Sequence, residues 1–278
     1  MPGLLSGASA DVRFAYYGDL FPGNGARPAA VEAEPSEAEA VVELLLEAVD
    51  ERLIRPQDDR EARVLRRARA QLAPEGDQQG AGDVLRRALN AANTLLALPP
   101  LRRVGGLLSA GIMVHRLGQV RAYLARRHPD GSGMSLDRRI RARVARELHG
   151  EHPSVVVAHS LGTVVAFETL HEHQGTLPLL VTLGSPMGMR TAVRPRMLPQ
   201  PLRVPAKVGS WLNFWDRDDF ITGQPLLERC VAANASGVLP VSRRIDSDGI
   251  WVHPAAKYLA QPGVAGPVIE ALEAVPPV

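Results

Sequence analysis

The amino-acid sequence predicts an α/β fold: a mainly parallel sheet with helices on both faces, plus a large helical region. Three observations carry this. Residues 154–158 form a continuous run rich in valine, the mark of a strand buried on both faces. Downstream of it, strand-like apolar runs alternate with helical ones, which implies parallel strands with covering helices. Upstream, residues 36–148 carry helical rather than alternating spacing.

The elements follow in order. Residues 12–17 (Val-Arg-Phe-Ala-Tyr-Tyr) read as a short strand, followed by a Gly/Pro-rich loop through Pro28. Ser36 and Glu39 form a capping box ahead of the apolar positions Val41, Val42, Leu44, Leu45, Leu46 and Val49, and Pro56 ends that helix. An Arg-rich stretch over 58–72 is followed by a break at 74–82. Asp83 caps a helix over 84–98, which Pro99 and Pro100 stop. Residues 101–127 are helical but weakened by Gly105, Gly106 and Gly111, and Ser135 caps a helix over 136–148. Then come the strand at 154–158, a helix over 161–173, strands at 179–183, 208–215 and 240–245, and closing helices at 255–259 and 267–274. The organisation is therefore an N-terminal strand and loop (1–34), a helical region (35–150) and a sheet-bearing region (151–278).

Composition narrows the classes. The chain has 278 residues, 45% apolar and 22% charged, enough for one large α/β domain with an insertion. Basic residues number 32 and acidic ones 30, so nothing demands a nucleic-acid partner. Cys230 is the only cysteine, which excludes an internal disulfide and fits a reducing compartment. Residues 1–10 lack the basic start and apolar core of a secretory signal. The most apolar long stretch, 95–114, is broken by Pro99, Pro100, Arg102 and Arg103 and does not read as a membrane span. The expectation is a soluble, cytoplasmic protein.

The chemistry-bearing run is Ala158-His159-Ser160-Leu161-Gly162, set between a strand and a helix start. Such an elbow strains the serine backbone and projects its hydroxyl above the sheet edge. Small residues are needed two before and two after it, because strand and helix pack closely. Here these are Ala158, where the usual motif has Gly, and Gly162. The Leu161 amide, at the helix N-terminus, can donate to an oxyanion.

This segment resembles the α/β-hydrolase superfamily, and more closely its bacterial lipase- and esterase-like members. The resemblance is carried by Ala-His-Ser-Leu-Gly-Thr-Val-Val-Ala-Phe-Glu at 158–168, with support from Leu-Gly-Ser-Pro at 183–186, Trp-Leu-Asn-Phe-Trp-Asp-Arg-Asp-Asp at 211–219, and His253. It implies a catalytic triad in the chain order Ser, Asp or Glu, His. Ser160 is then the nucleophile. His253 is the only histidine after His173 and takes the place of the base. Asp216, Asp218 and Asp219 compete for the acid: Asp219, followed by Phe220 and Ile221, best matches the family's spacing, and Asp216 comes second. Asp246 and Asp248 are expected to shape the histidine loop.

The implied activity is hydrolysis of a carboxylic ester, small-molecule or lipid, through an acyl-enzyme and without a cofactor or metal. An acyltransferase using the same triad and a non-catalytic binding or regulatory module are the rival functions. Similar enzymes also carry a strand ending in His-Gly, whose loop gives a second oxyanion donor. None is present in this sequence, so the expectation is that it lies upstream of Met1 or is missing, with Gly18, Gly23 and Gly25 as substitutes. By position the helical region is an insertion resembling a lid. Its stretch 95–114 either touches lipid, a peripheral membrane contact, or buries its own apolar face. Arg66, Arg67, Arg138, Arg139, Arg141 and Arg143 read as solvated helix faces, with an anion contact as the alternative. His171 and His173 are two apart on a helix and point to different sides, and His149 and His152 flank a loop glycine. Neither pair makes a metal motif.

Overall fold

The computed structural model describes residues 10–21, 35–74, 81–96, 98, 110–127, 133–148, 152–219, 221–246 and 253–274. Gly23, Gly25, Asp248, His149 and most of the stretch 95–114 lie outside the described residues.

Among the described residues, five helices precede the strands: α1 (Pro35–Leu53), α2 (Asp59–Leu72), α3 (Ala81–Leu95), α4 (Ala110–Leu124) and α5 (Leu136–Glu147). The rest is β1 (Val155–His159), α6 (Leu161–Leu170), β2 (Leu179–Leu183), β3 (Trp211–Asp216), β4 (Pro240–Ile245), α7 (Ala255–Leu259) and α8 (Pro262–Glu273). The four strands pair in parallel in the order β1-β2-β3-β4. Parallel pairing in chain order brings all four carboxyl ends to one edge, where open α/β sheets place their ligands.

Side-chain alternation divides the sheet between two cores. Leu180 and Trp211 point to one face, into a core shared with α6 and the helices α1 to α5. Leu179, Val181, Leu183, Leu212 and Phe214 point to the other, where Tyr258 of α7 and Val264 and Val268 of α8 cover them. Each such buried side chain stabilises the fold by about 1.5–3 kcal/mol. In α2 the buried Ala62, Leu65, Ala68 and Leu72 fall at helical spacing, with Arg66 and Arg67 exposed between them. Asp58 caps that helix, accepting from the Glu61 amide at 2.7 Å. Among the described residues no helix is long and apolar enough to cross a membrane.

Several expectations need correction. Residues 12–17 are not a strand. They run irregularly into a 3-10 turn (Gly18–Leu20), and Val12, Phe14 and Tyr16 are exposed. Their alternation has the right period but no partner strand among the described residues, and a strand needs a ladder to hold it. The helices α1 to α5 precede every described strand. The run at 154–158 is only partly buried, because β1 is the outer strand of the described sheet; the doubly buried strand is β2. Ser36 and Asp83 lie within helices opened at Pro35 and Ala81. Proline suits a first helical turn, where its missing N–H costs nothing. Strand β3 starts at Trp211, since Val208 makes only an isolated bridge to Leu177. The last helix starts at Pro262, with Pro267 inside it.

Ionic contacts tie the helical region to the sheet region. Glu168 of α6 is buried and accepts from Arg126 (2.6 Å), the Tyr123 hydroxyl (2.7 Å) and the Leu198 amide (2.8 Å). Arg126 adopts φ 51°, which ends α4 and aims its guanidinium at both Glu168 and Asp137. Glu47 of α1 accepts from the successive amides of Arg190, Thr191 and Ala192. Arg141 and Arg143 are not simply solvated: they pair with Glu172 and Asp19. Glu168→Ala leaves Arg126 with Asp137 alone as its ionic partner and strips the Tyr123 hydroxyl and the Leu198 amide of their acceptor, and unfolding in urea is expected to show a loss of about 3 kcal/mol.

Candidate active site

Ser160 joins β1 to α6 with φ 52° and ψ −129°. A non-glycine residue at positive φ costs about 1–2 kcal/mol and persists only where its surroundings over-determine it. Those surroundings are visible. The Ser160 amide donates to Leu183 O of β2 (3.0 Å), and its carbonyl accepts from the Thr163 amide and hydroxyl. Ala158 is buried beneath the turn. A Cβ on Gly162 would meet the Tyr17 hydroxyl at 3.3 Å, so the elbow has little room for a larger residue there. The Leu161 amide is among the first four of α6, which have no partner within the helix.

The Ser160 hydroxyl lies 3.0 Å from His253 Nε2. His253 Nδ1 lies 2.9 Å from both carboxylate oxygens of Asp219. The structure thus brings Ser160, His253 and Asp219 into one chain at the carboxyl edge, each following a different strand. His253 is 3% exposed and Asp219 is equally buried. Asp216, the second candidate acid, is turned elsewhere: its carboxylate caps the amide of Asp218 at 2.8 Å. Asp218 pairs with Arg52, and Asp246 pairs with Arg244 at the surface.

Four residues at the site escaped the sequence analysis. Tyr258, fully buried on α7, donates to Asp219 Oδ2 at 2.7 Å while its oxygen accepts from the Asp216 amide. It is an aromatic five residues after His253, a spacing with no general meaning. Burial, and then the charge of Asp219, push its phenol far above the ordinary range. Burial also acts to raise the Asp219 carboxyl, but His253, Tyr258 and the Ile221 amide outweigh it and hold the pKa below 3.8. Gly184, at φ +55°, leaves the space: a Cβ there would stand 2.6 Å from Asp219 Oδ2. Arg52 of α1 steadies the acid turn, donating to Arg217 O (2.6 Å) and Asp218 (3.0 Å) while pairing with Glu61. Tyr17, from the segment expected to be a strand, places its hydroxyl beside the elbow; burial raises its pKa to about 12.

His159 has a definite structural role. Its ring lies 4.7 Å from that of His253, and its Nε2–H donates to the His253 carbonyl. It holds the backbone at His253, and does so as the neutral imidazole. Burial, then the nearby His253, lower its pKa from 6.5 to about 4. Ser160 and His253 line a cavity of about 20 Å³, walled by Met113, Arg116, Leu117, Val120 and Ile221. That is room for about one water molecule. Among the described residues no group of three His, Cys, Asp or Glu side chains is placed to hold a metal ion.

Two outcomes follow from these contacts. Tyr258→Phe removes a donor from the buried Asp219 and an acceptor from the Asp216 amide, and chemical denaturation should show a loss of about 1–3 kcal/mol. His159 has a depressed folded pKa, so its contribution is complete above the unfolded value of 6.5 and is lost as pH falls towards about 4. Melting temperatures measured at pH 7 and pH 5 should therefore differ less in His159→Gln than in the wild type.

No protein-family model matches the chain, and neither a curated protein nor a solved structure matches it significantly, so the functional assignment rests on the geometry of these residues.

Proposed function

We propose that the protein is a serine hydrolase of the α/β-hydrolase type that cleaves carboxylic esters through an acyl-enzyme. One observation carries the reading: a serine hydroxyl, an imidazole and a buried carboxylate in hydrogen-bonded sequence, with the serine on a strained strand-to-helix turn. The order of the three along the chain and their placement at the ends of parallel strands support it.

Ser160 Oγ attacks the ester carbonyl carbon, and its proton passes to His253 Nε2. Asp219 accepts from Nδ1–H, which fixes the tautomer that leaves Nε2 free as the base and stabilises the imidazolium that forms. The oxyanion develops beside the helix start, where the Leu161 amide donates; one such donor is worth roughly 10²–10³ in rate. The intermediate collapses, His253 gives its proton to the alcohol oxygen, and the acyl group stays on Ser160. Water, deprotonated by His253, then releases the acid and restores the serine. The base contributes about 10²–10⁴. The same chain of groups serves an acyltransferase if an alcohol replaces the water. A non-catalytic binding module is the weaker reading, since it gives no purpose to a buried Asp219 held ionised behind His253.

A fluorophosphonate probe tests this. The wild type should be labelled and Ser160→Ala should not, while Asp219→Asn should fold and lose about 10⁴-fold in kcat on a simple ester. A well-folded wild type that neither takes the probe nor hydrolyses any ester would remove the hydrolase reading.

A further inference from the structure

Among the described residues, the cavity at Ser160 and His253 has one arginine or lysine on its wall. Met113, Leu117, Val120 and Ile221 are apolar, and no carboxylate among the described residues lines it. Arg116 of α4 does, and it is exposed at the cavity rim. Several other arginines are committed to carboxylates. Arg126 binds Asp137 and Glu168, Arg52 binds Glu61 and Asp218, and Arg196 binds Glu43. No hydrogen bond or ion pair engages Arg116 among the described residues. Its charge nonetheless reaches the site, since it helps to depress the pKa of His159, the neighbour of the nucleophile.

We infer that Arg116 selects substrates, and that the preferred ester carries an anionic group, such as a carboxylate, a few bonds from the reacting carbonyl. This rests on the hydrolase reading of Ser160. A guanidinium presents a planar pair of donors that matches a carboxylate, and charge-assisted hydrogen bonds are about twice as strong as neutral ones. The apolar remainder of the wall suits the methylene groups between the two ends of the substrate.

The test compares two p-nitrophenyl esters of similar length, the hemisuccinate and the valerate, on the full-length protein. In the wild type kcat/KM should favour the hemisuccinate by about tenfold or more. Arg116→Gln should cut that ratio at least tenfold, Arg116→Lys should keep part of it, and Arg116→Glu should turn the preference to the valerate. An identical ratio in the wild type and Arg116→Gln, with both esters cleaved, overturns this assignment and leaves the hydrolase reading intact. If neither ester is cleaved and Ser160 takes no fluorophosphonate, both fall together. Because Arg116 is at the surface, matching melting temperatures of the variants will separate loss of recognition from loss of fold.

Discussion

A carboxylate removed from water stays charged only while hydrogen bonds replace the solvent, and the rest of this site is arranged around meeting that demand at Asp219. Its oxygens receive the His253 imidazole, the Tyr258 hydroxyl and the Ile221 amide. The imidazole is thereby held in one orientation and one tautomer, and the Ser160 hydroxyl meets its free nitrogen. Gly184 is small because Asp219 occupies the volume of a Cβ. Tyr258 belongs to the apolar core under α7, so the polar chain is anchored directly in the hydrophobic packing of the sheet.

The sheet supplies order in a second sense. Four parallel strands in sequence order present their ends at one edge, so residues distant in the chain become neighbours without long excursions. The ladder extends past the strands themselves: Ser160 bonds to Leu183, and Gly184 bonds to Phe214. Ser160 and the turn that follows β2 are thus pinned to adjacent strands. The helical region adds a further constraint from outside, with Arg52 gripping the turn between β3 and Asp219.

Much of this was legible from sequence where a local rule was strong. Leu179–Leu183 and Pro240–Ile245 stand out by composition, and the elbow by its small residues around Ser160. Asp219 and His253 became visible through chain order and spacing taken from the family resemblance. What escaped depends on tertiary partners. Residues 12–17 carry a strand's alternation without a strand's neighbour. Tyr258 and Gly184 meet Asp219 across 39 and 35 positions of sequence, Arg52 meets the neighbouring Asp218 across 166, and no local pattern encodes such meetings. The sequence places His159 in the elbow and says nothing more of it; its contact with the His253 carbonyl joins residues 94 positions apart.

The contact of Glu47 with the loop at 190–192 has a consequence of its own. Three successive peptide N–H groups converging on one point make a receptor for anions, of the sort that elsewhere cradles phosphate. Here the chain fills that receptor with a side chain from α1, and the Thr191 hydroxyl adds a fourth donor at 2.8 Å. A free phosphate or sulfate would have to evict an internal carboxylate that is already tethered at high effective concentration. The loop is therefore saved for architecture, as a latch between α1 and the segment after β2, and is withdrawn from the surface available to soluble ions.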